Sequence, residues 1–98
     1  MLLNNKQIKY LKSLANSIDA KYQIGKNEIT ETSLDMLDKA LKKNELIKVS
    51  VNSSVKEEKE AFAKILSENL HAEVVQILGN TITLFRKNLK DGKIHLPN

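Results

Sequence analysis

The chain has 98 residues, with 16 Lys and Arg against 12 Asp and Glu, a formal net charge of +4 and a pI near 9.3. That length suits one domain with its own core, while the absence of Cys excludes disulfides and thiolate chemistry and fits a reducing, cytoplasmic setting. The basic balance favours an anionic partner such as nucleic acid, and the Lys-rich start after Met1-Leu2-Leu3-Asn4 is expected to be neither a signal peptide nor a membrane span.

A first helix is expected from about Asn4 to Ile18. Ile8, Leu11, Leu14, Ala15 and Ile18 recur at helical spacing, and Lys6, Lys9 and Lys12 fall on the opposite side with Ser13 and Asn16. No acid lies between Met1 and Ile18, so this face is a candidate nucleic-acid contact rather than an ordinary mixed-sign surface.

A short strand, Tyr22 to Gly25, feeds a turn through Lys26 and Asn27 and then a helix opening at about Thr30. A glycine turn entering a helix N-terminus offers unpaired amides and the positive end of the dipole to an anion, and Lys26 adds a full charge. Leu34, Leu37 and Leu41, with Ala40 beside them, form the buried stripe of this second helix. Lys39, Lys42 and Lys43 lie near its C-terminal end, where the dipole explains them.

Leu46 to Val51 alternates as a strand, with Ile47, Val49 and Val51 facing one way and Leu46, Lys48 and Ser50 the other. Ser54 and Glu57 have the spacing of a capping box for a third helix, whose apolar side reads as Ala61, Phe62, Ile65 and Leu66. Its alternating charges read as a solvated surface.

Glu73 to Leu78 and Thr81 to Arg86 form two strands about Gly79-Asn80, a pair suited to a type II′ hairpin. This register pairs Leu78 with Thr81 and Ile77 with Ile82. It puts Val75, Ile77, Ile82 and Leu84 on a core face, and Val74, Gln76, Leu78, Thr81, Thr83 and Phe85 on a mixed, partly open one. A tail from about residue 88 carries the turn pair Asp91-Gly92 and the segment Ile94 to Leu96.

The element order α-β-α-β-α-β-β predicts an α+β single domain spanning 1–98, with a mixed four-stranded sheet packed with helices. The two strand–helix–strand units predict parallel pairing, and the hairpin predicts an antiparallel pair. No catalytic constellation assembles. His71 and His95 lack metal-ligand spacing, Asp35 and Asp38 read as a wet i, i+3 pair, and G-K-N-E is not a P-loop. A non-enzyme without cofactor, metal or small-molecule substrate is therefore expected.

With every element placed, the chain resembles the CRM domain, the YhbY-type RNA-binding family. The segments that carry the resemblance are Lys6 to Ala15, Gln23 to Asn27, Glu45 to Val49, Glu73 to Gly79 and Ile94 to Pro97. The resemblance implies a fold similar to the C-terminal domain of translation initiation factor 3. It also implies a G-x-x-G loop analogous to the backbone-clamping loop of KH domains, and association with large-subunit ribosomal precursors. Here Glu28 stands in place of the second loop glycine, and Asn80 stands where many relatives place a basic residue. The expected function is binding of ribosomal RNA. Gly25, Lys26 and Asn27 form the loop site, Lys6, Lys9 and Lys12 extend it, and Arg86 and Lys87 add to it. Few aromatics are available, so backbone and shape recognition is expected over base reading. The alternative is a protein-interaction module that binds a ribosomal protein through the mixed sheet face.

Overall fold

The computed structural model describes residues 3–25, 29–53, 55–90 and 92–97. These form α1 (Asn5–Ala15), β1 (Tyr22–Ile24), α2 (Glu31–Asn44), β2 (Leu46–Val51), α3 (Lys56–Leu70), β3 (Glu73–Leu78) and β4 (Thr81–Phe85). The sheet order is β1-β2-β4-β3. β1 runs parallel to β2, and β4 is antiparallel to both β2 and β3. The first strand–helix–strand unit thus gives the expected parallel neighbours. In the second, β4 inserts between β2 and β3, which share a direction without touching.

The helices begin where polar caps are placed. Asn4 Oδ1 accepts from Gln7 N at 2.8 Å and Gln7 Oε1 accepts from Asn4 N at 3.1 Å, a reciprocal box at the start of α1. Thr30 caps α2 as expected, with Ser33 Oγ accepting from Thr30 N at 2.8 Å and Thr30 Oγ1 from Ser33 N at 3.2 Å. The cap expected at α3 differs. Ser54 lies outside the described residues, and the N-cap is Val55, whose side chain cannot cap. Ser53 serves this corner instead. Its hydroxyl accepts from Val55 N at 3.2 Å and donates to Glu58 Oε2 at 2.7 Å.

α2 and α3 cover one face of the sheet. Leu37, Leu41, Leu66 and Leu70 pack there on Ile24, Ile47, Val49, Val51, Ile82 and Leu84. The buried stripe of α3 is Phe62, Ala63, Leu66 and Leu70; Ala61 and Ile65, expected inside, are exposed. Residues 62, 63, 66 and 70 keep one helical face for the full length of α3, and that continuous contact with the sheet selects them.

α1 and the tail cover part of the other face. Leu11 and Ala15 pack on Leu46, Val75 and Phe85, bordered by Ile8, Leu14, Ile18, Ile94 and Leu96. The β3–β4 register pairs Leu78 with Thr81 and Ile77 with Ile82, then shifts between Val74 and Gln76. Within the loop, Gly79 has φ +57° and Asn80 has no positive φ, the type II′ pattern. The shift leaves Val75 as the extra residue of a bulge, so Val74 joins the α2–α3 face and Val75 the α1 face, the reverse of strict alternation.

Candidate nucleic-acid interface

The expected contact residues separate into three groups. Lys6, Lys9 and Lys12 are exposed on α1, opposite Leu11 and Ala15, which are 0% and 2% exposed. None of the three forms an ion pair with any described residue. The first turn of α1 holds no acid, so nothing on that helix neutralises the row. Three uncompensated cations lie along one exposed side of a helix whose other side is anchored by packing.

The loop forms the second group. Gly25 follows directly on β1 and is half-buried, while Lys26 and Asn27, with Glu28, lie outside the described residues. Beyond the loop, the N-terminus of α2 is less open to an anion than its sequence suggests. The Thr30–Ser33 box occupies the amides of Thr30 and Ser33, and Glu31 places a carboxylate in the first turn.

Arg86 and Lys87, the third group, are engaged inside the fold. Arg86 Nη1 reaches Asp38 Oδ1 at 2.7 Å and the Leu70 carbonyl at 2.8 Å, and Nη2 reaches the Asp38 carbonyl at 2.9 Å. One guanidinium thus joins the middle of α2 to the C-terminal end of α3. Its hydrogen bond holds the Asp38 carboxyl below its ordinary value against the opposing effect of burial, with further help from the Arg86 and Lys42 charges. Asp38 is therefore a structural partner of Arg86 rather than half of a wet surface pair. Lys87 Nζ donates to the Ile94 carbonyl at 2.6 Å and lies 3.9 Å from Glu45 Oε2. Both side chains thus have partners inside the fold, unlike the three lysines of α1.

Glu45 is a key residue that the sequence reading passed over. It sits between α2 and β2 at φ +64°, a backbone conformation rarely taken by a side chain other than glycine, and is 1% exposed. Its carboxylate accepts from the backbone amides of Asn88 and Ile94, each at 2.8 Å, and of Lys93. Burial raises its carboxyl pKa, but the three amides and the Lys87 charge outweigh that and bring it below its ordinary value. Glu45 thereby ties the tail to the domain, and Gln7 Nε2 adds a bond to the Pro97 carbonyl at 3.1 Å. A lone acid in a helix–strand junction is a weak sequence signal, because its partners are backbone groups more than 40 residues away.

The chain is similar to known proteins along nearly its whole length. YqeI of Bacillus subtilis (strain 168), named a probable RNA-binding protein, is 33% identical over 98% of this chain and 100% of its own length. An RNA-binding protein of Haemophilus influenzae is 34% identical over 97% of this chain and 95% of its own. The solution structure of the hypothetical protein SAV1595 from Staphylococcus aureus, described there as a candidate RNA-binding protein, superimposes with a TM-score of 0.84. It has 40% sequence identity and covers 98% of this chain and 100% of that one. The family model of the CRS1/YhbY (CRM) domain matches residues 3–86. From α1 through the end of β4, the chain belongs to the CRS1/YhbY (CRM) domain family.

Proposed function

We propose that this protein is a non-catalytic RNA-binding domain that grips the sugar–phosphate backbone of ribosomal RNA in large-subunit precursors in the cytoplasm. The observation that carries the reading is the exposed, acid-free row of Lys6, Lys9 and Lys12, held outward by the packing of Leu11 and Ala15. The names of the relatives support RNA as the partner. In this reading Gly25, Lys26 and Asn27 add a backbone clamp beside β1. Arg86 and Lys87 stand outside the contact set and instead hold the framework behind it.

Salt dependence of binding to structured RNA is the test. Three to five lysine–phosphate contacts on α1 and the loop contribute roughly −3 to −4.5 to the slope of log K against log salt. A measurable complex with a slope near zero overturns the reading and favours a protein partner at the open sheet face, where Leu78 is 69% exposed. Crosslinking in cells followed by sequencing of bound RNA tests the ribosomal assignment separately.

A further inference from the structure

Two cavities flank the connection from α1 to β1, and Lys48 lines both. The larger, about 630 Å³, follows from strand lengths. β1 begins at Tyr22, opposite Val49, so the outer edge of β2 over Leu46–Lys48 has no neighbouring strand. The cavity occupies that place, between the end of α1 and the C-terminal half of α2. Its lining includes Lys21, Lys39, Lys43 and Lys48, with Asp19 as the sole acid.

Lys39 is held by Asp35 at 3.0 Å, whereas Lys21, Lys43 and Lys48 form no ion pair with a described residue. Lys48 is half-buried in mid-strand. Three ammonium groups around one groove favour an anion there, against the single opposing carboxylate of Asp19, which lines both cavities.

The second cavity, about 340 Å³, opens onto the part of the sheet that α1 leaves uncovered. Across β2, β4 and β3 the register sets Lys48 beside Thr83 and Thr83 beside Gln76, and Thr81 lines the same space. These are neutral hydrogen-bonding groups, and no aromatic side chain lines this half. Cations on one side and hydroxyl and amide groups on the other match alternating phosphate and ribose better than stacked bases.

We propose that this trough, centred on Lys48, receives a second sugar–phosphate segment of the bound RNA, with a phosphate held by Lys48, Lys21 and Lys43 and ribose hydroxyls meeting Thr81 and Gln76. The proposal rests on the RNA-binding reading above and moves part of the interface off α1 and the loop. An acidic protein segment suits the same lysines, but the hydroxyl and amide groups beside them favour ribose and phosphate.

The test compares binding isotherms for a labelled RNA hairpin across a salt series in three proteins. The first is the wild type, the second Lys21→Gln/Lys43→Gln, and the third Lys6→Gln/Lys9→Gln/Lys12→Gln. Lys21 and Lys43 are exposed, so the double variant folds normally. It is expected to lose about two from the salt slope and on the order of ten-fold in affinity. Lys48→Gln is expected to lose about one more from the slope. If the double variant binds with wild-type affinity and slope while the α1 variant is weakened, the trough is not part of the interface. If the wild type itself shows no salt-dependent binding, the proposed function fails and the trough with it, a distinct result.

Discussion

The two faces of the sheet meet different demands. Under α2 and α3, one continuous apolar cluster runs from Ile24 to Leu84 and closes that face. Under α1, a smaller cluster around Leu11, Leu46 and Phe85 covers one end and gives way to Lys48, Thr81 and Gln76 at the other. The first face supplies stability through burial. The second leaves polar groups at the surface and needs a tail, fixed by one carboxylate, to complete its cover. Closing one face with two helices is what lets the other remain partly open in so small a domain.

Leu66→Ala and Leu11→Ala test this contrast most strongly, because both residues are 0% exposed. Leu66→Ala, in the closed cluster, is expected to cost about 3–5 kcal/mol. Leu11→Ala should fall nearer about 2–3 kcal/mol, since α1 and the tail can settle into the space. Urea unfolding of both variants decides it, and equal losses would show that the two clusters are equally rigid.

Glu45→Gln comes next, at about 2–4 kcal/mol, because an amide cannot accept three backbone donors as a carboxylate does. Hydrogen exchange should show the amides of Asn88, Lys93 and Ile94 opening first. The pH dependence follows from the same bonds. Asp38 and Glu45 have carboxyl pKa values below their ordinary values of 3.8 and 4.5. Their contribution is therefore complete above those values and disappears as the pH falls through the lower, folded-state values. Urea midpoints measured downward from pH 5 should decline in the wild type and decline less steeply in Glu45→Gln.

Smaller effects on stability are expected at the open surface. Replacing Lys6, Lys9 and Lys12 with Ala should change stability by less than about 0.5 kcal/mol per site, yet remove about three from the salt slope of RNA binding. Melting curves and isotherms on one preparation separate the two. Glu28→Gly should tighten RNA binding by a few-fold, within about 1 kcal/mol, by removing a charge that repels phosphate. The gain should shrink in high salt, and weaker binding at every salt concentration would show Glu28 to be a supporting group of the loop.

Much of this architecture was legible because it depends on local rules. The period of Leu37 and Leu41, the alternation of Ile47, Val49 and Val51, and the cap at Thr30 each need only a few neighbouring residues. The misreadings came where a distant partner decides. The bulge at Val75 exists because β3 must send Val74 to one cluster and Val75 to the other. Ile65 was expected inside, and only the position of α3 on the sheet selects Ala63 and Leu70 instead. Arg86 reads as a free cation beside Lys87 until Asp38 and the Leu70 carbonyl are brought to it. The row on α1 was readable in full, since a helix face is defined by its own sequence.

The place of β4 has a consequence for how the chain is made. The last strand in sequence is an inner one, hydrogen-bonded on both sides. During synthesis β2 and β3 both emerge before it, each with an open edge where β4 will lie, and β1 pairs with β2 on the other side only. A nascent chain halted at Gly79 thus holds two unfinished sheet fragments with exposed edges, a state open to pairing with other chains. Completion is a single late event. The strand from Thr81 to Phe85 closes both gaps at once, and the principal core can form only after that strand has been made.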